Sequence, residues 1–132
     1  MATVPLLSDE DAPAESRAIF DEIRAARKTD FVNNFWRALA HDPALLRATW
    51  DRLGQVMAPG ALDPLVKELI YVAVSTVNGC SYCVHSHTAA ARARGMTPEQ
   101  HAELLAVIGM ASQTNALATA LAVPVDARFM EG

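Results

Sequence analysis

The sequence predicts an all-α chain, and three observations lead there. No stretch alternates apolar and polar residues between turn signals, as a half-buried strand would. Apolar residues instead recur at three- and four-residue spacing between clear stops. Those segments open on a capping residue followed by proline, at Asp42-Pro43, Asp63-Pro64 and Thr97-Pro98. At 132 residues, with 52% hydrophobic and only 6% aromatic, the composition suits closely packed, Ala-, Leu- and Val-rich helices in a single domain over residues 1–132. Surplus apolar surface in so small a chain also points to burial between subunits.

Taken in order, Ser8-Asp9-Glu10-Asp11 supplies caps and first-turn acids for a helix over residues 8–28, with Pro13 tolerated near its start. A short helix over 31–40 places Phe31, Phe35 and Leu39 on one face. His41-Asp42-Pro43 ends it, with His41 at the carbonyl end complementing the dipole and Asp42 capping the next helix. That helix carries Leu45, Leu46, Trp50, Leu53 and Met57 and stops at Pro59-Gly60, with Trp36 and Trp50 read as core or pocket lining. The segment 65–77 is apolar nearly all round, which predicts burial on most sides. Asn78-Gly79 stops it, a helix over 80–94 follows and Gly95 closes that one. Two further helices are predicted, over 98–108 and 111–122, the last ending before Pro124.

A formal net charge of −4 and the lack of any Lys/Arg cluster argue against nucleic acid as a partner. Arg24, Arg27 and Lys28 lie beside Asp21 and Glu22 and read as a solvated face. The N-terminus lacks a basic region followed by an apolar one, so a cytoplasmic, reducing compartment is expected. Residues 69–91 hold no charged side chain if histidine is neutral. Ser, Thr, Asn, Gly, Cys and His interrupt them throughout, so they read as two helices and a turn and not as a membrane span.

Chemistry concentrates in Glu68, Cys80, Cys83 and His87. The chain's two cysteines sit at the start of a helix, where free backbone N–H groups favour a thiolate. At about 100° per residue, Cys80, Cys83 and His87 fall within an arc of about 60°, whereas His85 faces nearly the opposite way. If Asn78-Gly79 makes a tight turn, the flanking helices run antiparallel and Glu68 meets the second near residues 87–91. A carboxylate in so apolar a helix needs a partner, and His87 is the natural one. Such a pair can carry a proton to or from a thiol. Helix position by itself favours Cys80 as the attacking sulfur. A zinc site built from Cys80, Cys83 and His87, with His85 or His101 as fourth ligand, is the rival reading. Its weakness is the missing second ligand pair. Glu68 could also be a structural acid bound to backbone.

The same residues carry a resemblance. Glu68, an eleven-residue gap, Cys80-x-x-Cys83, a three-residue gap and His87 resemble the signature of the AhpD-like alkylhydroperoxidases, within the carboxymuconolactone decarboxylase superfamily. The likeness runs over residues 67–95, with the signature core at 65–95. Trp36-Arg37-Ala38-Leu39-Ala40-His41-Asp42-Pro43 is similar, more weakly, to the peroxidase-related branch.

The resemblance implies a fold of about six to seven helices assembled as a homo-trimer or homo-hexamer, with no cofactor or metal required. It implies Cys83 as the peroxidatic thiolate, Cys80 as the resolving one, and Glu68 and His87 as a proton relay acting through water. The implied partners are a hydroperoxide substrate and an external dithiol or thiol-protein reductant. Tyr82 departs from the pattern, standing where the best-known members have histidine. The chain is also short beside members with a duplicated helical core. The expected function is thiol-dependent peroxide reduction. The alternatives are a disulfide oxidoreductase acting on protein or small-molecule disulfides and a zinc-stabilised helical module. Ring-lactone decarboxylation is remote, because the superfamily's decarboxylases work without this cysteine pair.

Overall fold

The computed structural model describes residues 1–132 as six α-helices and a terminal 3₁₀ turn, with no strand. The all-α expectation holds. No helix is long and apolar enough to cross a membrane. The chain divides into two compact units, Met1–Ala58 and Pro59–Gly132.

The first unit holds α1 (Ala14–Arg27), α2 (Asn34–Leu39) and α3 (Pro43–Met57). Helix α1 starts after Pro13, later than the sequence suggested. Ser8 to Asp11 forms a separate turn, in which the Asp11 N–H donates to Ser8 Oγ at 3.1 Å and Ser8 Oγ donates to Asp11 Oδ2 at 2.9 Å. The reason is Pro13 itself, which biases Ala12 away from helical backbone. Helix α2 is shorter than expected and Phe31 lies outside it, 64% exposed. The side chain that α2 buries is Trp36, which meets Trp50 edge-on at 5.4 Å. Phe20, Ile23, Ala40 and Leu46 complete this core with no exposed surface. The Ser16 hydroxyl donates to the Ala40 carbonyl at 2.8 Å inside it.

Arg27 and Lys28 are exposed, as a solvated face requires, whereas Arg24 is partly buried. Arg24 pairs with Asp9 at 2.7 Å and donates to the Asp30 carbonyl, and the Arg27 guanidinium lies over the Trp36 and Trp50 rings. Arg37 also grips Asp9, at 3.1 Å. Hydrogen bonding to Arg24 and then Arg37, against the opposing effect of burial, pulls the Asp9 carboxyl from its ordinary 3.8 down to about 2. His41 donates from Nε2 to the Pro5 carbonyl at 2.7 Å, so it fastens the N-terminal strap as well as ending a helix.

The second unit holds α4 (Pro64–Val77), α5 (Ser81–Ala93) and α6 (Pro98–Ala120). Asp63 caps α4 through Leu65 N–H at 2.8 Å, and Thr97 with Gln100 forms a reciprocal capping box on α6. The two helices expected over 98–108 and 111–122 are one, because Gly109 lowers helix stability without breaking the hydrogen-bond ladder. Predicted burial of α4 on most sides is also corrected. Val66, Ile70, Val74 and Val77 are 41–73% exposed, and Glu68, Val72 and Ser75 are what it buries. One chain offers too few neighbours to cover a helix that is apolar all round.

The turn between α4 and α5 positions the site. Gly79 takes the left-handed conformation at φ 70°, Cys80 N–H returns to the Ser75 carbonyl and Gly79 N–H to that of Thr76. This double bond pattern ends α4 and reverses the chain, so α5 packs back along it.

Candidate active site

Cys80 is the N-cap of α5, one position before the helix, and its sulfur accepts the Cys83 N–H at 3.2 Å. Cys83 sits in the first turn. The two are joined by a disulfide whose Cα atoms are 5.3 Å apart, ordinary spacing for such a bridge. In the reduced state the same N–H, together with the helix end, stabilises negative charge on the Cys80 sulfur.

The reversal at Gly79 brings Glu68 to His87 as the sequence anticipated. Glu68 Oε2 lies 2.7 Å from His87 Nδ1, and the Glu68 side chain is only 6% exposed. Its other oxygen stands 3.5 Å from Arg94 Nε. A buried carboxylate is thus matched on both oxygens, as burial demands. The tautomer follows from this bond: a neutral His87 donates its Nδ1 proton to Glu68 and leaves Nε2 as the basic nitrogen.

His87 follows Cys83 by four residues, one helical turn along the same face of α5. His85 points elsewhere, its Nδ1 hydrogen-bonding to the Ser81 carbonyl of its own helix at 2.8 Å. His101 lies in the first turn of α6. No group of three or more His, Cys, Asp or Glu side chains is placed to hold a metal ion, and His87 Nδ1 is already committed to Glu68.

Two residues near this pair had not been singled out from the sequence. Tyr71 stacks on the His87 imidazole, with ring centroids 3.5 Å apart and planes 17° from parallel. Its signal was available: it follows Glu68 by three residues and so shares that face of α4. Arg94 gave no such signal, because its approach to Glu68 depends on how α5 packs against α4.

Comparison with known proteins places the chain in a family. The carboxymuconolactone decarboxylase family model matches residues 43–126. Alkyl hydroperoxide reductase AhpD of Solibacter usitatus is 42% identical over 72 residues, covering 54% of this chain and 39% of that protein. AhpD of Maricaulis maris is 31% identical over 123 residues, covering 84% and 66%. The chain therefore spans between 39% and 66% of the length of these curated relatives. The crystal structure of the alkylhydroperoxidase AhpD core from Rhodospirillum rubrum is 62% identical and superposes with a TM-score of 0.96, covering all of this chain and 99% of that one. The chain belongs to the carboxymuconolactone decarboxylase family, as an AhpD-like member.

Proposed function

We propose that this chain reduces hydroperoxides through its cysteine pair, using an external dithiol. The observation that carries the reading is the Glu68–His87 hydrogen bond of 2.7 Å, one helical turn beyond Cys83 on the helix that opens with the Cys80–Cys83 pair. A disulfide alone would serve exchange chemistry. A buried proton-transfer pair on the same face is what O–O cleavage needs, because the departing alkoxide must be protonated.

In the proposed cycle the Cys83 thiolate attacks one peroxide oxygen. An S–O bond forms, the O–O bond breaks, and the alcohol leaves with a proton delivered by way of His87 and an intervening water. Cys83 is now a sulfenic acid. The Cys80 thiolate attacks the Cys83 sulfur, the S–S bond forms, and hydroxide leaves as water after taking a proton. Two thiol–disulfide exchanges with the external dithiol return both cysteines to thiols and oxidise that dithiol. The division of labour has a physical basis. Cys83 is the sulfur nearer the relay along the helix, while the N-cap position makes Cys80 a stabilised thiolate, good both as resolving nucleophile and as leaving group. Glu68 holds the Nδ1 proton and supports the charge that His87 takes up.

We further propose that the chain works as a homo-oligomer, a trimer or hexamer. Helix α6 buries none of its residues, and Leu105, Val107, Met110 and Leu117 on it are each 53–65% exposed. So much apolar surface favours self-association. Sedimentation velocity at micromolar concentration tests this, and a monomer would refute it.

The second reading, disulfide exchange without peroxide turnover, is favoured by the Cys83 N–H to Cys80 Sγ bond, which suits a nucleophilic first cysteine. The deciding experiment follows peroxide consumption by reduced, metal-free protein with excess dithiol, comparing wild type, Cys83→Ser and Cys80→Ser. Peroxidase function requires turnover in wild type, its loss in both variants, and a trappable sulfenic acid at Cys83 when Cys80 is absent. Disulfide formation with oxidised dithiols but indifference to peroxide would hand the site to exchange chemistry.

A further inference from the structure

We infer that Tyr71 is a positioning residue for the His87 proton relay, acting by stacking and not through its hydroxyl; this rests on the peroxidase reading above. Two independent rotations, χ1 and χ2, set where the imidazole's Nε2 points. Glu68 fixes the ring at one atom, by the in-plane bond to Nδ1. A single hydrogen bond leaves the ring able to swing and tilt about that contact. Tyr71 removes this freedom from the other direction. Its ring covers the imidazole face at 3.5 Å between centroids, with the planes 17° from parallel. A bond along the edge and a plate across the face together define one position, one tilt and one direction for Nε2.

The construction follows from α4 alone. Glu68 and Tyr71 stand three residues apart on one face of that helix, so the same backbone that supplies the carboxylate supplies the plate. A shift of α5 along α4 that loosened one of these contacts would loosen the other as well. The stack also shields one face of a ring that is only 18% exposed, which limits competing water at the basic nitrogen. The phenol oxygen has no hydrogen-bond role in this arrangement, so phenylalanine should serve.

The test compares Tyr71→Phe and Tyr71→Leu. Misplacing a proton-transfer group by a fraction of its reach lowers reaction rates by about tenfold or more. The rate constant for Cys83 oxidation by hydrogen peroxide should therefore fall by that order in Tyr71→Leu and be rescued in Tyr71→Phe. Alkylation of the reduced protein by iodoacetamide, which needs a thiolate but no proton delivery, should stay near wild type in both. Nuclear magnetic resonance of the His87 ring gives a readout independent of turnover. Its carbon-bound protons should carry an upfield ring-current displacement in wild type and Tyr71→Phe, lost in Tyr71→Leu.

Equal peroxide rates in Tyr71→Leu and wild type would overturn the inference, as would a loss in Tyr71→Phe matching that in Tyr71→Leu. If wild type itself ignores peroxide, the peroxidase reading fails. The ring-current comparison then still decides whether Tyr71 holds the imidazole, and an undisplaced His87 signal in wild type would refute the clamp.

Discussion

The two units of this chain differ in what they bury. In residues 1–58 the interior is aliphatic and aromatic apart from Ser16: Ile19, Phe20, Ile23, Trp36 and Leu46 are at most 2% exposed, and ion pairs such as Arg47–Glu22 lie outside them. In residues 59–132 the buried set includes Glu68, Ser75 and Thr88 beside Val72, Ala91 and Met96, while Val74, Leu105 and Val107 stand open. The first unit gathers most of the buried apolar side chains into its own core, although Phe31, Phe35, Leu45 and Val56 remain exposed. The second keeps polar groups inside, where each must be matched, and leaves apolar side chains at the surface. No buried side-chain nitrogen or oxygen lacks a partner, so this interior is fully satisfied without being strongly hydrophobic. Chemistry and self-sufficient packing have been separated along the chain.

The sharpest way to break that contrast is Trp36→Ala. It empties the centre of the first core and should cost about 3–5 kcal/mol, read by urea denaturation. A cost near 1 kcal/mol would mean that the Trp36–Trp50 contact is not the keystone assigned to it. The corresponding blow to the second unit is chemical. Glu68→Gln keeps the shape and a hydrogen-bonding oxygen for His87 but cannot take up charge or proton, so peroxide reduction should fall by about 100-fold. Stopped-flow oxidation of the reduced protein measures it. Full activity would remove Glu68 from the relay.

Acid titrates the ionic shell of the first unit and supplies a smaller effect. Because Arg24 and Arg37 depress Asp9 from 3.8 to about 2, its stabilisation is fully present above pH 3.8 and is lost as pH falls through about 2. Asp9 is 42% exposed on its side chain, so solvent screening holds the contribution below about 1 kcal/mol. Asp9→Asn should lower the melting temperature slightly at pH 7 and by less at pH 2, where about half of the folded-state carboxyl is already protonated. An undiminished difference in strong acid would show that the pairing is not electrostatic.

The smallest effect lies at the end of α6. There Ala122 holds φ 46° while its N–H bonds to the Thr119 carbonyl and the Val123 N–H bonds to that of Ala118. This is the same reversal that Gly79 makes after α4, built without a glycine. Ala122→Gly should relieve left-handed strain and stabilise by up to about 1 kcal/mol. Differential scanning calorimetry is the check, and destabilisation would mean that the added chain entropy outweighs the strain.

Much of this was legible in the amino-acid order, and the reason is locality. Asp42-Pro43, Asp63-Pro64 and Thr97-Pro98 each cap a helix at the predicted place, because a side-chain acceptor and a fixed φ act within one turn and need nothing distant. The Glu68–His87 contact was legible for a related reason. A tight turn at Asn78-Gly79 converts sequence distance on either side into spatial register, and the helical period does the rest.

Where expectation failed, the deciding partner lay far along the chain. Trp36 is buried against Trp50 as its reading as core implied, but Phe31 and Phe35, placed on one apolar helix face, are 64% and 43% exposed, because the neighbours that could cover them lie outside their own segment. Arg24 looked like a surface charge until Asp9, fifteen residues earlier, was folded against it. Residues 109–110 lie between the two helices expected from the sequence, yet one helix ladder runs through them. The sequence by itself therefore determined the starts of α3, α4 and α6, the reversal at Gly79 and the pairing of Glu68 with His87. All of these are set by local sterics and side-chain chemistry. Only the tertiary structure decided that Phe31 and Phe35 stay exposed, that Arg94 reaches Glu68, and that Tyr71 covers His87, because each depends on how one segment is rotated and set against another.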